Sequence, residues 1–558
     1  MSSFSDKIKS ASAYIKNNWL RILTAPIVRC PGLFVCLATM MVTMPLVICF
    51  NFNIYEIRSI MANCILGITS ETIVTTWAIL AAYLLLRQWR RWASVVWLVI
   101  WFVVCTANFL LDFIVWYVYN RNFNEDIASV LCATDTSEGF NFFTSYMTGE
   151  LYRMMAIYAA IFAASYFVGK YVGKLCKRLF SGRRSVRVLR VVILSVIAAA
   201  CILMCEIKSN RIKSLGIRSK VRTFCIIDTG HELLTTNLPL VTDSSAAPAK
   251  LVVVIGESHC RSHSSIYGYR LPTQPEQEKM VADSSLYVFQ NAVAPALHTI
   301  ACFERFIGLW NGEEDKKYYE QFTFLEAARR SGYKLYWLSN QSSKGVYDNP
   351  VVKMSEYCDV VHFCNDGMFG LASGNVDWKV YEPISQYVGE TERQFFVVHL
   401  MGSHSSYKLR YPLDYAKFTP VDHPGRTAKQ SKNLSEYDNS IYYNDHVLSE
   451  IYSRYEDTDA VIVYFSDHAQ DLYVTRPDFC GHSNDNDPKS KAEGEAVPLT
   501  IYLTKTYKQL HPESAKRIAA ASQQTDSIFL TDLTYTLMDI MGTRFRDNDD
   551  VAKRSFLR

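Results

Sequence analysis

Residues 250–258 read KLVVVIGES. Five consecutive β-branched or aliphatic side chains between a lysine and a glycine form a short apolar run, too short for a buried helix and suited to a strand. No polar residue alternates with them, so both faces of that strand must be covered. Four further segments share the pattern: YKLYWLS (333–339), RQFFVVHL (393–400), AVIVYFSD (460–467) and VPLTIYL (497–503). Between them, FLEAARRSG (324–332) and YDNSIYYNDHVLSEIYSRY (437–455) carry helical periodicity. Strands alternating with helices predict an α/β domain whose central sheet is mainly parallel. Such sheets collect ligands beyond the carboxyl ends of their strands.

The chain of 558 residues has a mean hydropathy of +0.01, but that average joins two unlike parts. Five segments in the first 210 residues are apolar over about 18–25 residues, enough to cross a hydrocarbon layer of roughly 30 Å. They are Leu33 to Phe50, Ile65 to Leu86, Val95 to Tyr117, Met154 to Val172 and Val188 to Cys205. The last reaches spanning length only if Arg190 extends toward the interface. The first is too long for a signal peptide and lacks a small-residue cleavage site.

Basic residues mark the cytoplasmic side. Lys7, Lys9, Lys16, Arg21 and Arg29 precede the first span; Arg87, Arg90 and Arg91 separate the second and third; Lys174, Lys177, Arg178, Arg183, Arg184 and Arg187 separate the fourth and fifth. The intervening loop carries Glu125, Asp126, Asp135, Glu138 and Glu150 against Arg121 and Arg153. Five spans in that orientation put the C-terminal part outside. The basic stretch Lys208 to Arg222 runs against this rule and reads as a segment resting on anionic headgroups.

A polar linker ending in TDSSAAPAK (242–250) completes a division into a five-helix membrane domain (1–210), a juxtamembrane linker (211–249) and a soluble domain (250–558). The net charge of +4 gives no argument for nucleic acid. Of the 15 cysteines, several fall in the spans, where a thiol serves as a small apolar group. Cys225, Cys260, Cys302, Cys358, Cys364 and Cys480 lie beyond them, and Cys358 with Cys364 is the nearest pair for a disulfide in an oxidising compartment.

The polar residues beyond the strands carry the chemistry. The first strand leads into Glu257, the third into His399 and then His404, the fourth into Asp467 and His468, with His482 following. Each alone has an ordinary explanation, a cap or a salt bridge. Gathered at one rim, they form a transition-metal inventory of the carboxylate and imidazole type that Zn²⁺ takes when cysteine is not used. His259 and His263 read as hydrogen-bonding or solvated histidines. The stretch VAPALHTIACFER (293–305) then supplies a hydroxyl, Thr299, which a divalent cation can activate by lowering its pKa. The Cys/Ser-x-Pro-x-Arg pattern of a modified nucleophile is not met by CFER at 302–305.

Taken in order, VVVIGESHCRSHSSIYGYRLPTQP (252–275), ALHTIACF (296–303), NQSSKGVYD (340–348), VVHLMGSHSSYKLRYP (397–412) and VYFSDHAQD (463–471) resemble the motifs of the membrane phosphoethanolamine transferases. The resemblance extends over nearly the whole chain. It implies five spans followed by a periplasmic domain like alkaline phosphatase, in a multi-pass protein of the bacterial inner membrane. It further implies Zn²⁺ held by Glu257, the nucleophile Thr299, Asp467 and His468, with His404 and His482 at a second metal or phosphate position. Lys344 matches a lysine near the phosphate. ATDTSEGFNFF (133–143) is similar to a stretch near the donor headgroup, which makes Thr134 and Glu138 contacts for the ethanolamine ammonium.

The implied reaction moves phosphoethanolamine from phosphatidylethanolamine, through a phosphoethanolamine-threonine intermediate, to lipid A, a core sugar or another periplasmic glycan. His404 or His482 would carry a proton. The chain departs from many relatives in having Ser343 and Tyr347 where they have cysteines, and His298 before Thr299. These departures point to the branch with fewer disulfides, whose members modify core sugars or glycans. The alternatives are a phosphoglycerol transferase, a phosphodiesterase or a sulfatase on the same scaffold, or a membrane sensor without catalysis.

Overall fold

The computed structural model describes residues 18–51, 58–119, 123, 127–128, 149–180, 182–206, 231–312, 317–342, 350–365, 376–475, 477, 479–482 and 487–558. They form two units, one helical and one α/β. Each expected span lies in a helix: α1 (Pro31–Asn51), α2 (Arg58–Trp89), α3 (Arg91–Tyr119), α4 (Gly149–Leu179) and α5 (Arg183–Glu206). Among the described residues, three helical stretches are long and apolar enough to cross a membrane: Ile68–Trp89, Arg91–Tyr117 and Leu151–Leu179. A fourth span is reached if Asn18–Arg29 and Pro31–Val47, bent by 70°, count as one. The bend falls at Cys30, where the following proline disfavours helical backbone. α5 opens with Arg183, Arg184, Arg187 and Arg190 and is not among the stretches that qualify. α1 and α4 pack backbone to backbone, since a Cβ at Gly169 would lie 2.6 Å from the Pro31 carbonyl oxygen.

The α/β unit is built on a seven-stranded sheet. Its strands are β1 (Lys250–Gly256), β2 (Leu286–Phe289), β3 (Lys334–Ser342), β4 (Val360–Asn365), β5 (Gln394–His399), β6 (Ala460–Ser466) and β7 (Leu499–Leu503), in the spatial order β2-β7-β6-β1-β5-β3-β4. The pairs from β6 to β4 are all parallel. β7 is antiparallel to both its neighbours, so the last expected strand forms but runs against the rest.

β1 sits in the middle and explains its own sequence. Leu251, Val253 and Ile255 enter one apolar cluster, Val252 and Val254 the other, and all are fully buried. Period-two alternation between two covered faces yields an unbroken apolar run. On one face, α6 (Thr299–Phe306) and α7 (Phe324–Arg330) contribute Phe303, Phe306 and Leu325. The long α8 (Ala428–Tyr455) begins nine residues before the expected helix, at a capping box made by Thr427 and Gln430.

Cys358 and Cys364, the nearest candidate pair, are both free thiols. Five residues lie between them, and the four in strand, Val360 to Phe363, carry the chain about 13 Å to Cys364 at roughly 3.3 Å per residue, whereas a disulfide needs Cα atoms within about 7 Å. They also pack against opposite faces of the sheet.

Candidate active site

The rim of the sheet is fixed by register. The last pair between β1 and β6 is Gly256 with Ser466, so Glu257 and Asp467 each stand one residue past the same rung. The Asp467 amide donates to the Gly256 carbonyl (3.1 Å), and the Ser258 amide to Asp467 Oδ1 (3.2 Å). Ser258 holds φ at 57°, a left-handed conformation uncommon outside glycine. That backbone is held by the Tyr437 hydroxyl, which donates to the Ser258 carbonyl (2.8 Å). The Ser258 hydroxyl donates to Glu257 Oε1 (2.6 Å).

On the other side of Glu257 the chain leaving β5 crosses at close range. The Ser403 amide donates to the Glu257 carbonyl (2.9 Å), and Gly402, at φ 50°, leaves no room for a Cβ. Asp377 fixes this crossing, accepting from the amides of Met401 and Gly402 (both 2.8 Å).

Glu257, Asp467 and His468 bring one ligand atom each within 4.8 Å of one another, all buried. His468 Nε2 lies 3.4 Å from Glu257 Oε1 and 3.5 Å from Asp467 Oδ2. Its other nitrogen, Nδ1, faces the Ala469 carbonyl at 2.9 Å; a hydrogen there leaves the Nε2 lone pair turned into the cluster. Thr299, the first residue of α6, donates its hydroxyl to Glu257 Oε2 (3.0 Å) and comes within 3.4 Å of His468 Nε2.

This arrangement fits a divalent cation. Burial pushes the Glu257 carboxyl up to about 8, and the neighbouring Asp467 adds to the rise. Burial likewise raises Asp467 to about 6, against the amides of His468 and Ser258. Asp467 Oδ2 is buried with no hydrogen-bond donor among the described residues. Two buried carboxylates and an imidazole lone pair without a cation repel one another; with one they become a ligand set.

His482 also reaches the rim. Its ring centroid lies 4.9 Å from that of His468 and 4.9 Å from that of His298. His404 lies in the electrostatic field of His468, and burial presses its imidazole down to about 3, leaving it neutral. Thr134, Glu138 and Lys344 lie outside the described residues. His399 belongs to the core instead: burial lowers it to about 3 and its ring packs 4.8 Å from Phe303. His259 is held between Tyr464 and Ser264, at 2.7 Å from each hydroxyl. His263 pairs with Asp438 at 2.6 Å. Sequence reading missed Ser258, Asp377 and Tyr437, whose parts depend on contacts 24 to 209 residues away in the chain or on backbone conformation.

A mostly parallel sheet with a metal-type cluster and a helix-borne hydroxyl past its central strands defines the architecture of the alkaline phosphatase class. The chain belongs to the sulfatase family, whose model matches residues 249–543. Its relatives there are membrane phosphoethanolamine transferases. Phosphoethanolamine transferase EptC of Escherichia coli O18:K1:H7 is 29% identical over 315 residues, 55% of this chain and 53% of that protein. Phosphoethanolamine transferase CptA of Salmonella typhimurium is 27% identical over 314 residues, with 55% and 53% covered. The chain thus spans about half the length of the curated relatives it matches.

The C-terminal periplasmic domain of EptC from Escherichia coli, solved in complex with Zn, superposes with a TM-score of 0.52 at 27% identity, covering 59% of this chain and 90% of that one. The integral membrane protein EptA of Neisseria meningitidis covers 96% of this chain and 97% of its own, with a TM-score of 0.54 at 14% identity, a likeness of fold. Sequence similarity to the curated relatives is therefore confined to about half the chain, and only the likeness of fold extends over nearly all of it.

Proposed function

We propose that this chain transfers phosphoethanolamine from phosphatidylethanolamine to an acceptor of the cell envelope, with Thr299 as the nucleophile. The observation that carries this reading is the Thr299 hydroxyl, placed by the start of α6 against Glu257 Oε2 and His468 Nε2. Thr299 Oγ1 forms a bond to phosphorus, the bond from phosphorus to the diacylglycerol oxygen breaks, and diacylglycerol leaves with a proton. An acceptor hydroxyl or phosphate then takes the phosphoethanolamine and returns the proton to Thr299.

Glu257, Asp467, His468 and Thr299 are the residues that hold zinc in this reading. Bound zinc supplies positive charge that lowers the pKa of a hydroxyl and offsets charge on phosphoryl oxygens. Glu257 Oε2 receives the hydrogen bond of Thr299 and orients its hydroxyl. His404, kept neutral by burial, serves as a hydrogen-bond donor, and His482 carries the proton. Lys344 neutralises the phosphoryl group, and Thr134 and Glu138 meet the ammonium of the donor.

Residues 1–210 form the anchor in the bacterial inner membrane, 211–249 the linker and 250–558 the periplasmic catalytic domain. An outer-leaflet lipid donor accounts for the anchor, since a headgroup there is reached by a domain held beside it. The curated relatives are named phosphoethanolamine transferases, which supports this group over phosphoglycerol. The acceptor follows the branch with few cysteines: a core sugar of lipopolysaccharide or another periplasmic glycan ahead of lipid A. Expression in a strain without its own transferases, followed by mass spectrometry of lipid A, core and glycans, tests this. A gain of one phosphoethanolamine that is absent with Thr299→Ala is expected; a gain of phosphoglycerol, or none, overturns it.

A further inference from the structure

Three polar groups of Ser258 are committed at once. Its amide donates to Asp467 Oδ1 (3.2 Å), its hydroxyl donates to Glu257 Oε1 (2.6 Å), and its carbonyl accepts from the Tyr437 hydroxyl (2.8 Å). Ser258 therefore touches both carboxylates of the metal-type cluster, and it does so from a left-handed backbone, φ 57°, which costs a residue with a Cβ free energy. The Tyr437 oxygen is placed to hold that conformation. It also accepts from the Cys260 amide (2.7 Å), so one hydroxyl closes a ring over residues 258–260.

α8 reaches the other side of Glu257 as well. Ser440 lies three residues past Tyr437, on the same face of the helix. Its hydroxyl is 2.6 Å from the Tyr437 carbonyl and 2.8 Å from the Ser403 hydroxyl; with its hydrogen on the carbonyl, it accepts from Ser403. The Ser403 amide in turn donates to the Glu257 carbonyl (2.9 Å). Tyr437 and Ser440 are both buried, and the Tyr437 ring is packed edge-on by His263 and Tyr407, with centroids 5.2 Å and 5.0 Å away. Burial pushes the Tyr437 hydroxyl well above its usual range, so it stays a neutral donor.

We propose that Tyr437 is a positioning residue for the metal: acting through Ser258, its hydroxyl fixes the directions in which Glu257 and Asp467 present their oxygens. Ser440 steadies Glu257 from the β5 side. Neither residue touches the reacting atoms. The proposal rests on the reading that Glu257 and Asp467 hold zinc.

The test measures the zinc dissociation constant of the full-length protein in detergent, by competition with a chelator, and the melting midpoint of the metal-free form. The variants are Tyr437→Phe, which keeps the packed ring, Ser440→Ala, and Tyr333→Phe as a control. The control loses the same kind of bond, from a buried tyrosine hydroxyl to the Pro248 carbonyl (2.7 Å), ahead of the opposite end of β1. Each variant leaves a buried polar group without its partner, so a lower metal-free midpoint is common to all three. Zinc binding should be about 10- to 100-fold weaker in Tyr437→Phe, weakened by less in Ser440→Ala, and unchanged in Tyr333→Phe. Wild-type affinity in Tyr437→Phe, or in Ser440→Ala should the first variant not fold, overturns the positioning role. An equal loss in Tyr333→Phe also overturns it, since the effect would then be a general loosening. Zinc binding that Asp467→Asn leaves intact overturns the ligand set itself, and this outcome is read separately from a failure of Tyr437 alone.

Discussion

Gly402 stands so close to the backbone of Glu257 that a Cβ there would lie 2.7 Å from the Glu257 carbonyl oxygen and 2.8 Å from its amide nitrogen. The obstacle is backbone, and Gly402 also holds φ at 50°, so Gly402→Ala must push the β5 crossover away from the metal-type cluster. Strain of about 1–3 kcal/mol is expected. The variant should lose zinc occupancy and at least tenfold in transfer rate, measured together with the melting midpoint. Wild-type zinc content in this variant would show that the crossover does not position Glu257.

Thr299→Ala removes the hydroxyl proposed as the nucleophile, which bonds to Glu257 and approaches His468, and puts a good helix former at the start of α6. Its melting midpoint should stay within a few degrees of wild type. Transfer should fall by at least about 10³-fold, the scale of losing a nucleophile. Peptide mass mapping after exposure to phosphatidylethanolamine should find the added phosphoethanolamine on the Thr299 peptide of wild type alone.

Chelation tests the ligand set without a mutation. Zinc at about 100 times its dissociation constant stabilises by roughly 2.7 kcal/mol, so removing it with a chelator should lower the melting midpoint by several degrees. Adding zinc should restore it. Asp467→Asn should abolish that zinc-dependent shift; an equal shift in the variant would take Asp467 out of the set.

The buried Asp438 gives a pH dependence remote from the reacting atoms. Burial raises its carboxyl, but His263 and His423 outweigh this and hold it below the usual carboxylate range; Tyr269 donates to it as well (2.9 Å). A carboxyl whose folded pKa lies below its unfolded value of about 3.9 contributes stability that is fully present above that value. It is lost as pH falls through the folded pKa. Asp438→Asn should therefore lower stability at neutral pH by about 2–4 kcal/mol and flatten the acid limb of a midpoint-versus-pH curve.

The parts of the fold and site that were legible in sequence share one property: their signal is local. The run Leu251 to Ile255 states by composition that both its faces are covered, and the polar residues following β1 and β6 state what comes after. β2 and β4 escaped because one has four residues and the other, at the sheet edge, leaves Val361 40% exposed, which weakens the apolar pattern. The reversed direction of β7 has no local mark at all, since an antiparallel strand covered on both faces has the same composition as a parallel one. His399 looked like His404 for the same reason. One ends β5 and the other follows it, and the packing of Phe303 against the His399 ring separates core from rim.

Glu257 and Asp467 stand past one rung of one ladder, Gly256 opposite Ser466, and this ties their spacing first to the centre of the sheet and to the β5 crossover packed on Glu257. Insertions or deletions between 404 and 427, or beyond 482, can reshape what approaches the Thr299 hydroxyl while the carboxylates keep their separation, because hydrogen bonds at the centre of the sheet hold it. A slip of one residue between β1 and β6, by contrast, would exchange the strand's two buried faces, sending Leu251, Val253 and Ile255 into the cluster now filled by Val252 and Val254. A chain built this way can change what reaches the site by editing its periphery, and has almost no freedom to separate Glu257 from Asp467.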